Sequence, residues 1–297
     1  MAARSLQTIV LLTLCWVQVL PAGELDWLRL ADLESGAFGG VVDEMHGVAL
    51  LLSEDGADRR LIFGDRFGQV HALRYSRGRF REEWVSDPLR STIAEVFVAD
   101  IDADGEQEIV AYTESGDIAF YSTDDYRRHY RSADNVWASI SAMAVANIDD
   151  DPQMELVFCA ERAEDVAGYR SRATTADEAE RQREVELARL HFFDCKNEFV
   201  EWESETGLHG RNIAIGDLDD DGNLEVVLNS GFVVDAVFRT VEWRHSAGFG
   251  DKIGFADIDG DGIPELVGEF RSTTRPRRAL RFFDVDLKSE SFLSTKR

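Results

Sequence analysis

The sequence predicts an all-β chain assembled from tandem four-stranded antiparallel units. Three observations point there. The stretch FADIDGDGIPELVGEF at residues 255–270 sets alternate aspartates between two short apolar runs. Related stretches stand at residues 98–112 (VADIDADGEQEIVAY), 145–160 (VANIDDDPQMELVFCA) and 215–231 (IGDLDDDGNLEVVLNSG). The residues leaving each acidic loop (EIVAY, ELVFC, EVVL, ELVGEF) are short and rich in β-branched side chains, as strands are. Each repeat then adds a third segment with period-2 alternation, GQVHALRY, GDIAFYS, ARLHFFD or ALRFFDV, and a fourth marked by Trp84, Tyr130, Trp202 or Trp243. Self-similarity at this spacing marks a repeat architecture.

Taken in order, residues 1–22 read as a secretory signal: Arg4, an apolar run over residues 6–20, and a Leu-Pro-Ala cleavage site. The apolar run is too short to span a bilayer, so export without membrane insertion is expected, to an extracellular or periplasmic location. Residues 23–297 then form a single domain. The LDWL of residues 25–28 matches the aromatic fourth strand and is positioned to complete the last unit. A degenerate repeat begins near residue 46; Ser53, Asp55 and Arg60 stand near its loop positions and cannot make a metal site. Full repeats begin near residues 91, 138, 211 and 252, for five in all. Two insertions separate second from third strands. The charged one at residues 161–186 carries a capping box, Thr175 with Glu178, and predicts a short helix. The other is a basic cluster, RSTTRPRR, at residues 271–278.

The acidic loops have the chemistry of a hard-cation site, since Ca²⁺ takes six to eight oxygens and alternate carboxylates on a tight loop supply them. An EF-hand would need a bidentate acid at the twelfth position and a following helix. That position holds Ala111, Leu228 or Gly268, and the acid falls at the ninth instead: Glu108, Glu155, Glu225 and Glu265. A D-x-D-x-D-G-x-x-E loop between strands resembles the FG-GAP/VCBS repeat of calcium-loop β-propellers, over most of the chain from about residue 45. The resemblance implies a β-propeller, and the five repeats counted above give five blades closed by the N-terminal strand, six or seven blades being the alternative. It also implies Ca²⁺ ligands at Asp100, Asp102, Asp104 and Glu108, at Asp217, Asp219, Asp221 and Glu225, and at Asp257, Asp259, Asp261 and Glu265, joined by the backbone carbonyls of Glu106, Asn223 and Ile263. In the remaining loop Asn147 replaces the first aspartate and Pro152 the glycine, so Asn147, Asp149, Asp151 and Glu155 would make a weaker site.

A formal net charge of −25 argues against nucleic acid as a partner, because phosphates require a basic footprint. Cys159 and Cys195 fall at opposite ends of one hairpin, too far apart to bridge, which predicts free buried thiols. In an up-and-down blade alternate connections share one end. The residues before each first strand, His46, Arg90, Trp137, His209, Arg211 and Lys252, are therefore the candidates to line a channel mouth, where Trp137 and Arg211 suit a carboxylate or sugar. No zinc or nucleophile-elbow motif is present. The expectation is a secreted calcium-binding propeller that serves as an interaction or ligand-binding module, with a protein or carbohydrate ligand and structural calcium. The alternative is a glycan-active enzyme, a glycosidase or polysaccharide lyase, using carboxylates such as Glu95, Asp134 and Asp251.

Overall fold

The computed structural model describes residues 45–53, 58–271 and 278–291. The signal segment, the LDWL strand, Asp55 and most of the basic cluster lie outside them. The chain is an all-β protein of the β-propeller type, with five four-stranded antiparallel blades, each in simple up-and-down order. Blade one is β1 (His46–Leu52), β2 (Arg59–Gly64), β3 (Val70–Ser76) and β4 (Arg79–Val85). Blade two is β5 (Ile93–Ala99), β6 (Glu108–Thr113), β7 (Ile118–Ser122) and β8 (Arg128–Arg131). Blade three is β9 (Trp137–Ala146), β10 (Glu155–Arg162), β11 (Arg189–Asp194) and β12 (Phe199–Glu203). Blade four is β13 (Ile213–Gly216), β14 (Glu225–Leu228), β15 (Phe232–Asp235) and β16 (Thr240–Arg244). Blade five is β17 (Lys252–Ala256), β18 (Glu265–Arg271), β19 (Arg278–Asp284) and β20 (Ser289–Ser291). The repeat starts read from the sequence agree with these first strands to within two residues. The fourth position of blade five, which the sequence assigns to the LDWL segment, is held by β20 from the repeat itself, and LDWL lies outside the described residues.

The second strands of blades two to four are deeply buried, while β18 of blade five is only partly so. β6 and β14 are buried at every position, matching their unbroken apolar runs. Outer strands are mostly exposed or half-buried and carry charge, which discourages edge pairing. A register shift recurs between third and fourth strands of the first four blades, at Ala72/Leu73, Phe120/Tyr121, Phe192/Phe193 and Val233/Val234. Such a bulge sharpens the twist of the outer strand.

Two compact units are present, Gln18–His209 with the first three blades and Gly210–Arg297 with the last two. In the first unit, Ile62 and Ala72 of blade one pack with Ile93, Val96 and Ile109 of blade two. Ile118 and Phe120 of blade two pack with Leu156, Phe158 and Phe193 of blade three. Three of the four fourth-strand aromatics pack toward the next blade, while Trp202 meets Phe192 of its own blade at 4.7 Å. Trp84 stacks on Tyr126 at 4.8 Å and meets the edge of Tyr121 at 5.1 Å, and Tyr130 lies 5.4 Å from Phe193. In the second unit Trp243 packs 5.1 Å from Phe249, within the cluster of Val227, Val233, Leu266 and Phe283.

The insertion in blade three is helical, as expected: α1 (Ala163–Gly168) and α2 (Ala176–Leu187). Thr175 Oγ1 accepts the Glu178 N–H at 3.2 Å, completing the N-cap. Arg183 ties α2 to the blade through Glu161, with Nε 2.9 Å from Oε1. Cys159 pairs with Leu190 while Cys195 follows Asp194, the partner of Glu155, so the cysteines sit at opposite ends of the hairpin. Both are free and buried.

Candidate metal centres

Each acidic loop joins the first strand of a blade to the second, and the ninth-position glutamate opens that second strand. Its carboxylate is aimed back into the loop by one backbone donor. Ile101, Ile148, Leu218 and Ile258 donate N–H to Oε2 of Glu108, Glu155, Glu225 and Glu265 at 3.0, 2.9, 2.6 and 2.7 Å. The sixth-position glycine folds the loop over its first aspartate. Gly105, Gly222 and Gly262 take φ of 97°, 89° and 102° and donate to Oδ2 of Asp100, Asp217 and Asp257 at 3.0, 3.2 and 3.2 Å. Glu106, Asn223 and Ile263 turn their N–H groups onto the third aspartate at 2.8, 2.8 and 2.9 Å.

The carboxylates therefore converge. One oxygen from each of Asp100, Asp102 and Glu108 lies within 4.8 Å of the others, and the same holds for Asp149, Asp151 and Glu155, for Asp217, Asp219 and Glu225, and for Asp257, Asp259 and Asp261. Asp104, Asp221 and Glu265 stand just outside these tightest sets. Glu225 is fully buried, and its Oε1, like Oδ1 of Asp217, has no hydrogen-bond partner. Two buried anionic oxygens left bare beside one another are costly unless a cation joins them. Burial pushes the Glu108 carboxyl up to about 7 and those of Glu155 and Glu225 up to about 8. The single backbone N–H opposes that rise, and the flanking aspartates add to it. The donor set, all oxygen and strongly anionic, fits Ca²⁺.

The loop at Asn147 is built differently. Pro152 has no N–H to fold onto the first position, and Asp150 lacks the positive φ of Ala103, Asp220 and Gly260 at the equivalent place. Asn147 Nδ2 donates to the Asp151 carbonyl at 2.5 Å, and Gln153 Nε2 donates to Asp151 Oδ2. The part played by Gln153 has no signal in the spacing of acids. Blade one differs again. Gly64 pairs with Val70 as Tyr112 pairs with Ile118, which puts Arg60 in the position of Glu108. Its guanidinium bonds Asp58 Oδ2 at 2.9 Å, the Thr123 carbonyl at 2.7 Å and Tyr126 Oη at 3.2 Å.

The residues expected at the channel mouth have varied settings. His46, Trp137 and Lys252 open β1, β9 and β17. Trp137 is only 4 % exposed, edge-on to Phe158 and His191 and under the Arg162 guanidinium, so it is a packing residue with no face left for a ligand. Arg90 is clipped to the fully buried Asp117 through its backbone N–H at 2.7 Å and its Nε at 2.9 Å. The Arg211 N–H bonds Asn229 Oδ1 at 2.9 Å, the equivalent clip in blade four, and His209 Nδ1 lies 3.1 Å from the Gly207 carbonyl. Asp251 is paired with Arg271 at 2.9 Å, Asp134 is 3.8 Å from Arg131, and burial pushes the Glu95 carboxyl up.

No protein-family model matches the chain, and no curated relative matches it by sequence. Solved structures do resemble it. The computationally designed Ika8 protein matches with a TM-score of 0.51 at 10% identity, over 83% of this chain and 60% of that one. The Dos1 propeller matches at 0.47 and 12% identity, over 84% of this chain and 58% of that one. BBS1N, solved in complex with ARL6DN, matches at 0.46 and 12% identity, over 84% and 81%. The chain thus spans about three fifths of the designed protein's length, and at such identities the likeness speaks for fold alone.

Proposed function

We propose that this chain is a secreted, calcium-stabilised β-propeller of the FG-GAP/VCBS kind, serving as an interaction module whose ions are structural. The observation that carries the reading is the pair of buried, unpartnered oxygens, Asp217 Oδ1 and Glu225 Oε1, inside a converging carboxylate set. A bound divalent ion would neutralise these groups and pin the end of each hairpin. Asp100, Asp102, Asp104 and Glu108, then Asp217, Asp219, Asp221 and Glu225, then Asp257, Asp259, Asp261 and Glu265 would hold it, with the carbonyls of Glu106, Asn223 and Ile263. Four carboxylates and a carbonyl leave the ion little open coordination, which favours a structural over a catalytic role. The partner, protein or carbohydrate, would meet the opposite ends of the strands, where His46, Arg90, His209, Arg211 and Lys252 lie at or near the starts of first strands. The test is thermal unfolding of the purified chain in excess CaCl₂ and in EDTA. A midpoint lowered by chelation supports the reading, and an unchanged midpoint refutes it.

A further inference from the structure

Two of the five hairpins carry groups of their own where the other three present bare carboxylates. In blade one, Arg60 replaces the metal-binding glutamate of the other blades, as the strand register shows. Its guanidinium reaches Asp58, the Thr123 carbonyl and Tyr126 Oη, with Nε 3.4 Å from Glu83 Oε2. It lies 5.7 Å over the Tyr126 ring and binds blade one to blade two. The hairpin base is closed by Ser53 N–H to the Asp58 carbonyl at 3.1 Å and Asp58 N–H to Ser53 Oγ at 3.0 Å. In blade three, the amides of Asn147 and Gln153 both donate to Asp151, one to its carbonyl and one to its carboxylate. Gln153 is itself buried, at 8 % exposure. Its N–H also bonds Asp151 Oδ1 at 3.1 Å, so both carboxylate oxygens of Asp151 are held by one residue. Asn223 makes the same two bonds to Asp221 in the loop at Asp217, at 2.8 and 3.0 Å, so the feature confined to blade three among the described contacts is the Asn147 amide on the Asp151 carbonyl, at the position the other three loops give to an aspartate.

We infer that the chain replaces the ion with its own donors in two blades, a guanidinium in blade one and the Asn147 amide in blade three, so that it takes three calcium ions rather than four or five. The inference rests on the calcium reading above and deepens it. Geometry supplies the reason. An ion in these loops takes a carboxylate from the first position, and Asn147 instead points an amide donor at the Asp151 carbonyl. Arg60 places a permanent positive charge among carboxylates, and a divalent ion beside it would be repelled.

The test counts ions. The full chain is stripped with chelator, dialysed and titrated with CaCl₂, and bound calcium is measured by equilibrium dialysis. Three ions per chain are expected. The triple variant N147D/P152G/Q153N copies the loop at Asp217 and should bind a fourth. Four ions on the unaltered chain, or three on the variant, overturn the assignment for blade three. No bound calcium overturns both this division and the proposed function. The Arg60 arm is read in EDTA, where hydrogen exchange of the β1–β2 hairpin should be protected in the unaltered chain and faster by about tenfold or more in Arg60→Gln. Should that variant fail to fold, Asp58→Asn should speed exchange there by a smaller factor. Unchanged exchange in either variant, or a hairpin that needs calcium for protection, overturns the role of Arg60.

Discussion

Replacing Glu225 by glutamine should stabilise the protein without calcium and weaken it with calcium, and that reversal of sign is the sharpest consequence of the site geometry. Glu225 is fully buried and shares a sphere of at most 4.8 Å with oxygens of Asp217 and Asp219. Two unit charges at that separation would repel by about 3 kcal/mol at an effective dielectric near 20, and burial with the neighbouring aspartates keeps a proton on Glu225 up to about pH 8, so near neutral pH the chelated protein bears the cost as proton uptake. Glutamine keeps an oxygen to accept the Leu218 N–H and puts an amide beside the unpartnered Asp217 Oδ1. Removing that cost and satisfying a buried acceptor should together stabilise the chelated protein by about 2–3 kcal/mol. In calcium the same change removes one carboxylate ligand, and an ion lost from a site held at 100 times its dissociation constant forfeits about 2.7 kcal/mol. At about 2–4 °C per kcal/mol for domains of this general size, both shifts are readable in a calorimeter. The assay is the midpoint of Glu225→Gln and the unaltered chain, each in EDTA and in CaCl₂. A variant that melts lower in EDTA, or that responds to calcium as fully as the unaltered chain, would falsify the reasoning.

Three further outcomes are expected. Burial lowers the His191 pKa from 6.5 to about 4, with Glu203 opposing the fall and Arg162 adding to it. Such a histidine takes its proton more readily when unfolded, so its contribution stands above pH 6.5 and is lost as pH falls toward 4, by about 3 kcal/mol in all. His191→Phe should therefore lose less stability than the unaltered chain between pH 6.5 and 4 in urea melts, and an equal loss would exclude His191 as the source. Trp137→Ala should cost about 3–5 kcal/mol by opening a cavity beside Phe158, measured by denaturant unfolding; a cost below about 1 kcal/mol would contradict its place in the core. Burial pushes the thiols of Cys159 and Cys195 well above their usual range, so a disulfide reagent at pH 8 should modify neither until the protein unfolds, while rapid labelling of the folded chain would place them at the surface.

The legible features were those with a period. Aspartates at alternate positions followed by a β-branched run set both the hairpin bend and the start of the second strand, because a glutamate that opens a strand has its carboxylate returned to the loop by the second-position N–H. Three of the four fourth-strand aromatics were legible for the same reason, since one ring per repeat can fill the space between blades. Single substitutions that act through space carry no such signal. Arg60 looked like a mere defect in the motif until the register set it opposite Arg74 and beside Tyr126. Trp137 looked like a mouth residue because it precedes the apolar run, yet β9 starts at that residue and turns it into the core. The clips made by Asp117 and Asn229 join residues 27 and 18 apart through backbone N–H groups, and side-chain patterning cannot register a partner that is main chain.

Within each blade the two ends of the strands are held by different physics, and this bears on where a partner would engage. The first-to-second links at Asp100, Asp217 and Asp257 are acidic, short and alike, closed by carboxylates on backbone amides and, in the proposed reading, by ions. The opposite ends are closed by neutral or fixed-charge contacts: Asp117 on Arg90 and Arg131, and Asn229 on the Arg211 N–H and on the Gly250 carbonyl. Such contacts need no ion and no proton at neutral pH, so they hold when calcium is withdrawn. That is also the end at which the chain varies, with α1 and α2 inserted between β10 and β11 and a basic cluster between β18 and β19. In the blades that keep the acidic loop, a change in one set of loops leaves the donors of the other in place, so insertions at the far end need not disturb the carboxylate end.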